Sequence, residues 1–435
     1  MISNNKQNSI GVLDRVYIGI LLIIFGGIVL HAPLSVGLES IWPQYELLIK
    51  SWKEILMLIA GLMALFLMYK NKQFKILRNP IIIAIATYGL LHLIFLSYMY
   101  QGVAASFAGL AIDLRYLLFF SLVYIAMSIY PQYRKLFISV GIGGALIVFI
   151  FAFLQVFILS HDILKYIGYN LDTISPYLTI DKNNEFIRIN STLRGPNPLG
   201  AYAGIILTLV ATAIAKRKIQ KDRWSVAITA TLIVGGLLTL WASYSRSALI
   251  GAVLSITIVV LATSWHKLST KLWISMGILL IIIGSSLYLS RDSSFISNVV
   301  LHENPNGGSS ISSNEGHASS LSDSFSQFIH QPLGSGIGST GSASLLGKNT
   351  EIVENQYLFI NHEIGWFGLA LFTFIFVSVM VRLWKSHKDW LALGVFASGI
   401  GLAIIGLLLP VWTDDTVSII WWGLAAVALW SPRKN

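Results

Sequence analysis

Residues 291–310 read RDSSFISNVVLHENPNGGSS, and the polar text runs on through ISSNEGHASS (311–320) and HQPLGSGIGSTG (330–341) to EIVENQYLFINHE (351–363). It is the one long polar segment of the sequence, and the chain returns at once to Trp366, Phe367 and Leu369. A connection this long is usually functional or disordered, and this one mixes both kinds of text. It therefore predicts a segment that lies over an active site and supplies part of it. Everything before and after it reads as membrane.

That contrast is visible in the composition. Of the 435 residues 55% are hydrophobic and only 11% are charged, with a mean hydropathy of +0.71. Such values exclude an ordinary soluble domain. Apolar runs of bilayer-spanning length recur along the chain, so the predicted fold is an all-α polytopic integral membrane protein of about twelve transmembrane helices. There is no Cys, which removes disulfides, thiolate chemistry and Cys-ligated metal. The first apolar run, near Val16 to Leu30, lacks a small-residue cleavage site after it, and reads as a retained first span.

The remaining spans are expected near 54–68, 81–98, 110–127, 137–159, 199–215, 226–241, 248–265, 272–289, 364–381, 390–409 and 417–429. Three regions follow: 1–189 with spans 1–5, a core at 190–385, and two final helices in 386–435. Basic turns such as KRKIQKDR (216–223) and RLWKSHK (382–388) alternate with Lys/Arg-poor connections. With both termini cytoplasmic, 20 of the 30 Lys+Arg but only 3 of the 20 Asp+Glu (Asp14, Asp222, Asp389) fall inside, as the positive-inside rule expects. The net charge of +10 is thus read as topology, with no nucleic-acid partner. Trp241, Trp265, Trp366, Trp390 and Trp412 fall near span ends and suit the interfacial belt.

In this orientation the long loop between spans 9 and 10, the turn WASYSRSA (241–248) and PVWTDD (410–415) face outside. Nucleotide-activated donors are cytoplasmic, so external chemistry has to use something activated beforehand and carried in the membrane. Arg194, in NSTLRGPNPLGAY (190–202), sits beside a helix amino terminus whose Pro198 suits the first turn. Guanidinium and helix dipole together make an anion site. Arg246 lies in a tight turn between two apolar helices, where a charge defaults to a functional role. Arg188 and Arg291 read more simply as loop charges. Arg115 is expected either to pair, with Asp113 or a loop carboxylate, or to bind an anion.

Three residues compete as general base: Glu354, His362 and His317. A helix beginning near Glu354 would align positions 354, 358, 361/362 and 365 on one face. Asn355 and Tyr357 beside Glu354 are candidate substrate contacts, with Arg194, Arg246 and Arg115. Gly336-Ile-Gly338-Ser-Thr-Gly341 matches G-x-G-x-x-G but follows no strand, so a dinucleotide reading fails; a backbone nest for an anion remains open. Asp414 and Asp415 have no second carboxylate cluster to make a metal site and are expected to end a helix in solvent. Neither a metal nor a cofactor is expected.

Four phrases, NSTLRGPNPLGAY, WASYSRSA, HQPLGSGIGSTG and ENQYLFINHEIGWFGLALF (354–372), occur in the order found in the O-antigen ligase/polymerase family, which the chain resembles over about 190–372. The resemblance implies metal-independent transfer of a glycan from undecaprenyl diphosphate to an acceptor hydroxyl, on the outer face of a bacterial cytoplasmic membrane. It implies that Arg194 and Arg246 hold the diphosphate and stabilise its departing charge. Ligases of this family commonly carry His before Asn where this chain has Glu354; Glu there looks more like the polysaccharide polymerases. The competing reading is a lipid-linked glycan transporter, which predicts inverted repeats and midplane charges.

Overall fold

The computed structural model describes residues 11–264 apart from 181, and 313–430 apart from 348 and 349, with single positions between 265 and 312. The expected span 9, Arg291 and Trp265 lie outside the described residues. Helices dominate: α1 (Val12–Gly27), α2 (His31–Ile41), α3 (Glu46–Lys50), α4 (Trp52–Lys70), α5 (Pro80–Phe95), α6 (Val103–Ile129), α7 (Arg134–Phe157), α8 (Pro196–Ala215), α9 (Arg223–Ala242) and α10 (Arg246–Ser264). After the 265–312 region come α11 (Ser313–His330), α12 (Gly341–Ser344), α13 (Gln356–Lys385), α14 (Trp390–Ile405) and α15 (Asp415–Leu429). Among the described residues eight helical stretches are long and apolar enough to cross a membrane, and α5, α14 and α15 are shorter apolar helices.

Single polar residues at helix starts hold the unsatisfied N–H groups. Asn79 caps α5, Asp222 caps α9 and Asp389 caps α14. Asp389 also takes an ion pair from Arg134 at 2.6 Å, and Asp14 binds Tyr130 Oη at 2.7 Å and Lys70 at 3.4 Å. These charges of the basic turns meet at one end of the bundle.

The core centres on α8 and α15, buried along nearly their whole length. Small residues let α8 approach α10 closely: a Cβ on Gly200 would meet Ala248 Cβ at 2.8 Å, and one on Gly204 would meet Ala252 Cβ at 3.4 Å. That small-residue packing is how helices associate where lipid offers no hydrophobic contrast. Around α15, Tyr116, Phe120, Phe376, Trp412, Trp421 and Trp422 stack into one aromatic cluster. Trp412 is therefore a core residue, 2% exposed, and not part of an interfacial belt; the turn before α15 folds inward and carries it there. Trp241 and Trp366 stay exposed.

Two features depart from an all-α chain with one loose loop. The connection after α7 folds into an antiparallel hairpin, β1 (Tyr177–Ile180) with β2 (Asn183–Ile189). The end of the long polar segment does not cover the bundle but enters it: Ile337, Ser339 and Thr340 are buried. It enters at a break in α13, where Ile364 and Gly365 leave helical geometry and Gly365 takes φ +65°. Carbonyls freed by the break are taken up by the loop, His362 O by Ser335 N at 2.6 Å and Glu363 O by Gly336 N at 3.1 Å. Trp366 N donates to Pro332 O at 2.9 Å. Non-helical backbone inside an apolar bundle persists only when its polar groups are satisfied in this way.

Candidate functional site

A cavity of about 290 Å³ lies at the amino terminus of α8. Arg194 and the turn Gly195-Pro196-Asn197-Pro198 form its polar side. Leu178, Ile405, Leu409, Pro410 and Val411 form an apolar wall, and Thr413 and Asp414 close it. Arg194 is placed there by the segment before it. Ser191 N donates to Gln155 Oε1 at 2.9 Å and Ser191 Oγ to Val148 O at 2.7 Å, pinning the chain to α7. Asn190 is buried and its amide donates to Ser175 O. Arg194 itself is exposed, so its guanidinium is available beside the N–H groups of the first helical turn. Such a pairing favours an anion.

Arg188 is no loop charge. On β2, opposite Leu178 in register, it donates from Nε to Ser243 O at 2.9 Å and from Nη2 to Asn197 Oδ1 at 2.5 Å. One guanidinium fork thereby joins the hairpin, the first turn of α8 and the α9–α10 turn. The close approach of Gly200 to Ser243 and Ser245 completes that contact. The structure thus brings the turn carrying Arg246 against the helix start that carries Arg194. Arg246, half-buried at the first position of α10, does not line the cavity and makes an interaction of its own within the fold.

Arg115 does not pair with Asp113. It binds Asp415 and the carbonyl of Thr413, with Glu54 4.0 Å away. Lys53 Nζ at 2.8 Å and His31 Nε2 at 3.0 Å complete the shell of Asp415. The expected solvated TDD turn is in fact an ionic knot joining α2, α4, α6 and α15, because Asp415 opens a helix whose other residues are core. Asp414 caps α15 through Val417 N at 2.9 Å and feels the charge of Arg194 across the cavity. Among the described residues no group of three or more His, Asp or Glu is arranged to hold a metal ion.

At the start of α13, Asn355 is the cap, accepting from Tyr357 N and Leu358 N and donating to Leu407 O at 2.8 Å. Gln356 N donates to Gly406 O, and Gln356 Oε1 accepts from Trp412 N at 2.7 Å. Tyr357 Oη donates to Ala403 O at 2.9 Å. The polar groups of Asn355 and Tyr357 are thus used to seat α13 on the 403–412 segment, which forms the apolar wall of the cavity. Half-buried Glu354 sits directly before this cap and interacts within the fold. His362, two turns on, is buried; its Nδ1 is 2.9 Å from Gln327 Oε1 and its Nε2 3.6 Å from Glu351 Oε2. Gln327 Nε2 also holds Glu351 at 2.6 Å. The face expected to run from Glu354 through His362 to Gly365 stops at the break before Gly365. His317 lies on α11, and its side chain is outside the described residues.

The glycine phrase does make a nest, for an internal carboxylate: Gly338 N donates to Glu363 Oε1 at 3.1 Å. The sequence places Glu363 beside His362 at the mouth of a span but marks no role for it, because its place at the end of a polar segment hides its burial. Arg188 was legible only as one of several loop cations.

No protein-family model matches this chain, and no curated protein matches it.

Proposed function

We propose that this protein transfers or polymerises a glycan carried on undecaprenyl diphosphate, joining it to an acceptor hydroxyl at the outer face of a bacterial cytoplasmic membrane. The observation that carries the reading is the cavity at α8: a guanidinium and a helix amino terminus on one side, and an apolar wall on the other. A diphosphate attached to a polyprenyl tail has those two halves. Arg194 would hold the diphosphate, matching its oxygens bidentately. Arg246, on the turn clamped to the same helix, would add positive charge as the leaving diphosphate gains charge. No cofactor takes part in this scheme.

The base that removes the acceptor proton is assigned to Glu354, which precedes the cap seated on the cavity wall. His362, held by Gln327 beside Glu351, is the other candidate that the geometry supports, and His317 completes the set. Single-turnover transfer in liposomes, with a lipid-diphosphate oligosaccharide as the sole substrate, tests the scheme. Chain extension marks a polymerase, and release of undecaprenyl diphosphate only with a second acceptor marks a ligase. Arg194→Ala and Arg246→Ala should each lower turnover by about 10²-fold or more. Unimpaired transfer by a stably inserted Arg246→Ala protein would remove the mechanism.

A lipid-linked glycan transporter is the second reading. The break in α13 beside buried carboxyl groups favours it, since discontinuous helices form the ion and substrate sites of many transporters. Lipid movement across the bilayer without glycan transfer would establish that reading.

A further inference from the structure

A second enclosed polar cluster lies away from the cavity. Glu363, fully buried, and Asp113, 6% exposed, meet where the break in α13 faces α6. His92 on α5, also fully buried, places Nε2 3.4 Å from Asp113 Oδ2. His92 Nδ1 lies 2.8 Å from the carbonyl of Tyr88. A carbonyl can only accept, so Nδ1 carries a proton, and Nε2 is the ring nitrogen turned toward Asp113.

Without a further proton the three groups face one another as acceptors only. Glu363 Oε1 receives Gly338 N, while Glu363 Oε2 and His92 Nε2 have no hydrogen-bond partner. Two bare carboxylates cannot hydrogen-bond, and leaving both charged in an enclosed site is costly. One added proton changes this. It makes an O–H···O bond between Asp113 and Glu363 and leaves the site with a single negative charge. Among the described residues the other polar groups facing the pair are the Thr340 N–H and the Tyr88 and Tyr116 hydroxyls; Arg115, next to Tyr116, is engaged by Asp415. None of them supplies a neutralising cation to Glu363.

We propose that Asp113 and Glu363 form a proton-binding site that holds one shared proton at neutral pH, with His92 as the neighbouring group able to receive it. The glycine loop is the wall of this site, because Gly338 N touches Glu363 and a Cβ on Gly338 would lie 2.2 Å from Ala105 O. Loss of the proton puts two negative charges in contact behind that wall. The site stands apart from the α8 cavity, and the proposal does not depend on what that cavity binds.

Infrared spectroscopy of the full chain in lipid nanodiscs tests it. At neutral pH the wild-type protein should show a carboxylic-acid C=O band that exchanges slowly in heavy water. The band should shift both when Glu and when Asp carboxyls are ¹³C-labelled, a measurement that needs no variant. Glu363→Gln, which keeps shape and a donor for Asp113, should abolish it, and Asp113→Asn should shift it. A wild-type spectrum with no acid band at neutral pH overturns the proposal, as does a band unmoved in both variants or by both labels.

Discussion

Arg188 shows what a single side chain contributes to the α8 end of the bundle. Its fork makes two hydrogen bonds to different elements, and bonds from a charged donor are worth about 1.5–3 kcal/mol each when their partners are buried. Arg188→Ala should therefore lower thermal stability in detergent by about 3 kcal/mol and make the hairpin newly sensitive to protease. Arg188→Lys should not restore the wild-type melting curve, since an ammonium cannot span both acceptors from one planar group. Gly338 gives a second test. Its φ of +81° and its approach to Ala105 leave no room for a side chain, so Gly338→Ala should prevent the loop from seating. Its signature is a large loss of the monodisperse peak in size-exclusion chromatography. Arg194 was legible in the sequence because Gly, Pro and Asn around it mark a helix start. Arg188 was not, because its role depends on a strand register that four and seven residues of weak β text do not announce.

At the level of elements, α13 carries the most structure for the least sequence signal. Its cap, Asn355, serves both the helix and the 403–412 segment. Asn355→Ala should cost about 1 kcal/mol as a lost cap and further loosen the cavity wall, while Asn355→Asp keeps the cap but loses the donor to Leu407 O, and should recover only part of the loss in a thermal-shift assay. The helix was predicted to start near Glu354, and it starts two residues later. The break at Gly365 was hidden because a glycine in an apolar helical run is ordinarily tolerated. Only the partner loop, with glycines at positive φ lying against the break, turns it into a discontinuity. Periodicity reports a helix's own face, and it carries no information about a second segment that replaces its hydrogen bonds.

For the molecule as a whole, the ionic knot at Asp415 ties four helices whose sequence positions span most of the chain. Asp415→Ala leaves Arg115 and Lys53 facing each other with little water; allowing for the 17% exposure of Asp415, the loss should be about 2–3 kcal/mol. Replacing Arg115 by Met in the same chain should recover part of that loss, and equal melting temperatures for the single and double variants would show that the unpaired Arg115 charge is not the source of the loss. The apolar helices were readable from composition alone, because lipid allows few alternatives to a helix. The knot was not: charges at span ends read as loop, and only packing reveals which of them face inward. Helix length has a last consequence for the cavity. The helices on either side of its wall, α14 and α15, have 16 and 15 residues and reach about 24 Å at about 1.5 Å per residue. A hydrocarbon layer is about 30 Å thick. If both helices cross the hydrocarbon, the segment between them ends below the headgroups, or the bilayer dimples to meet it. If Arg194 holds the diphosphate as proposed, the lipid carrying it reaches the site sideways, without leaving its leaflet.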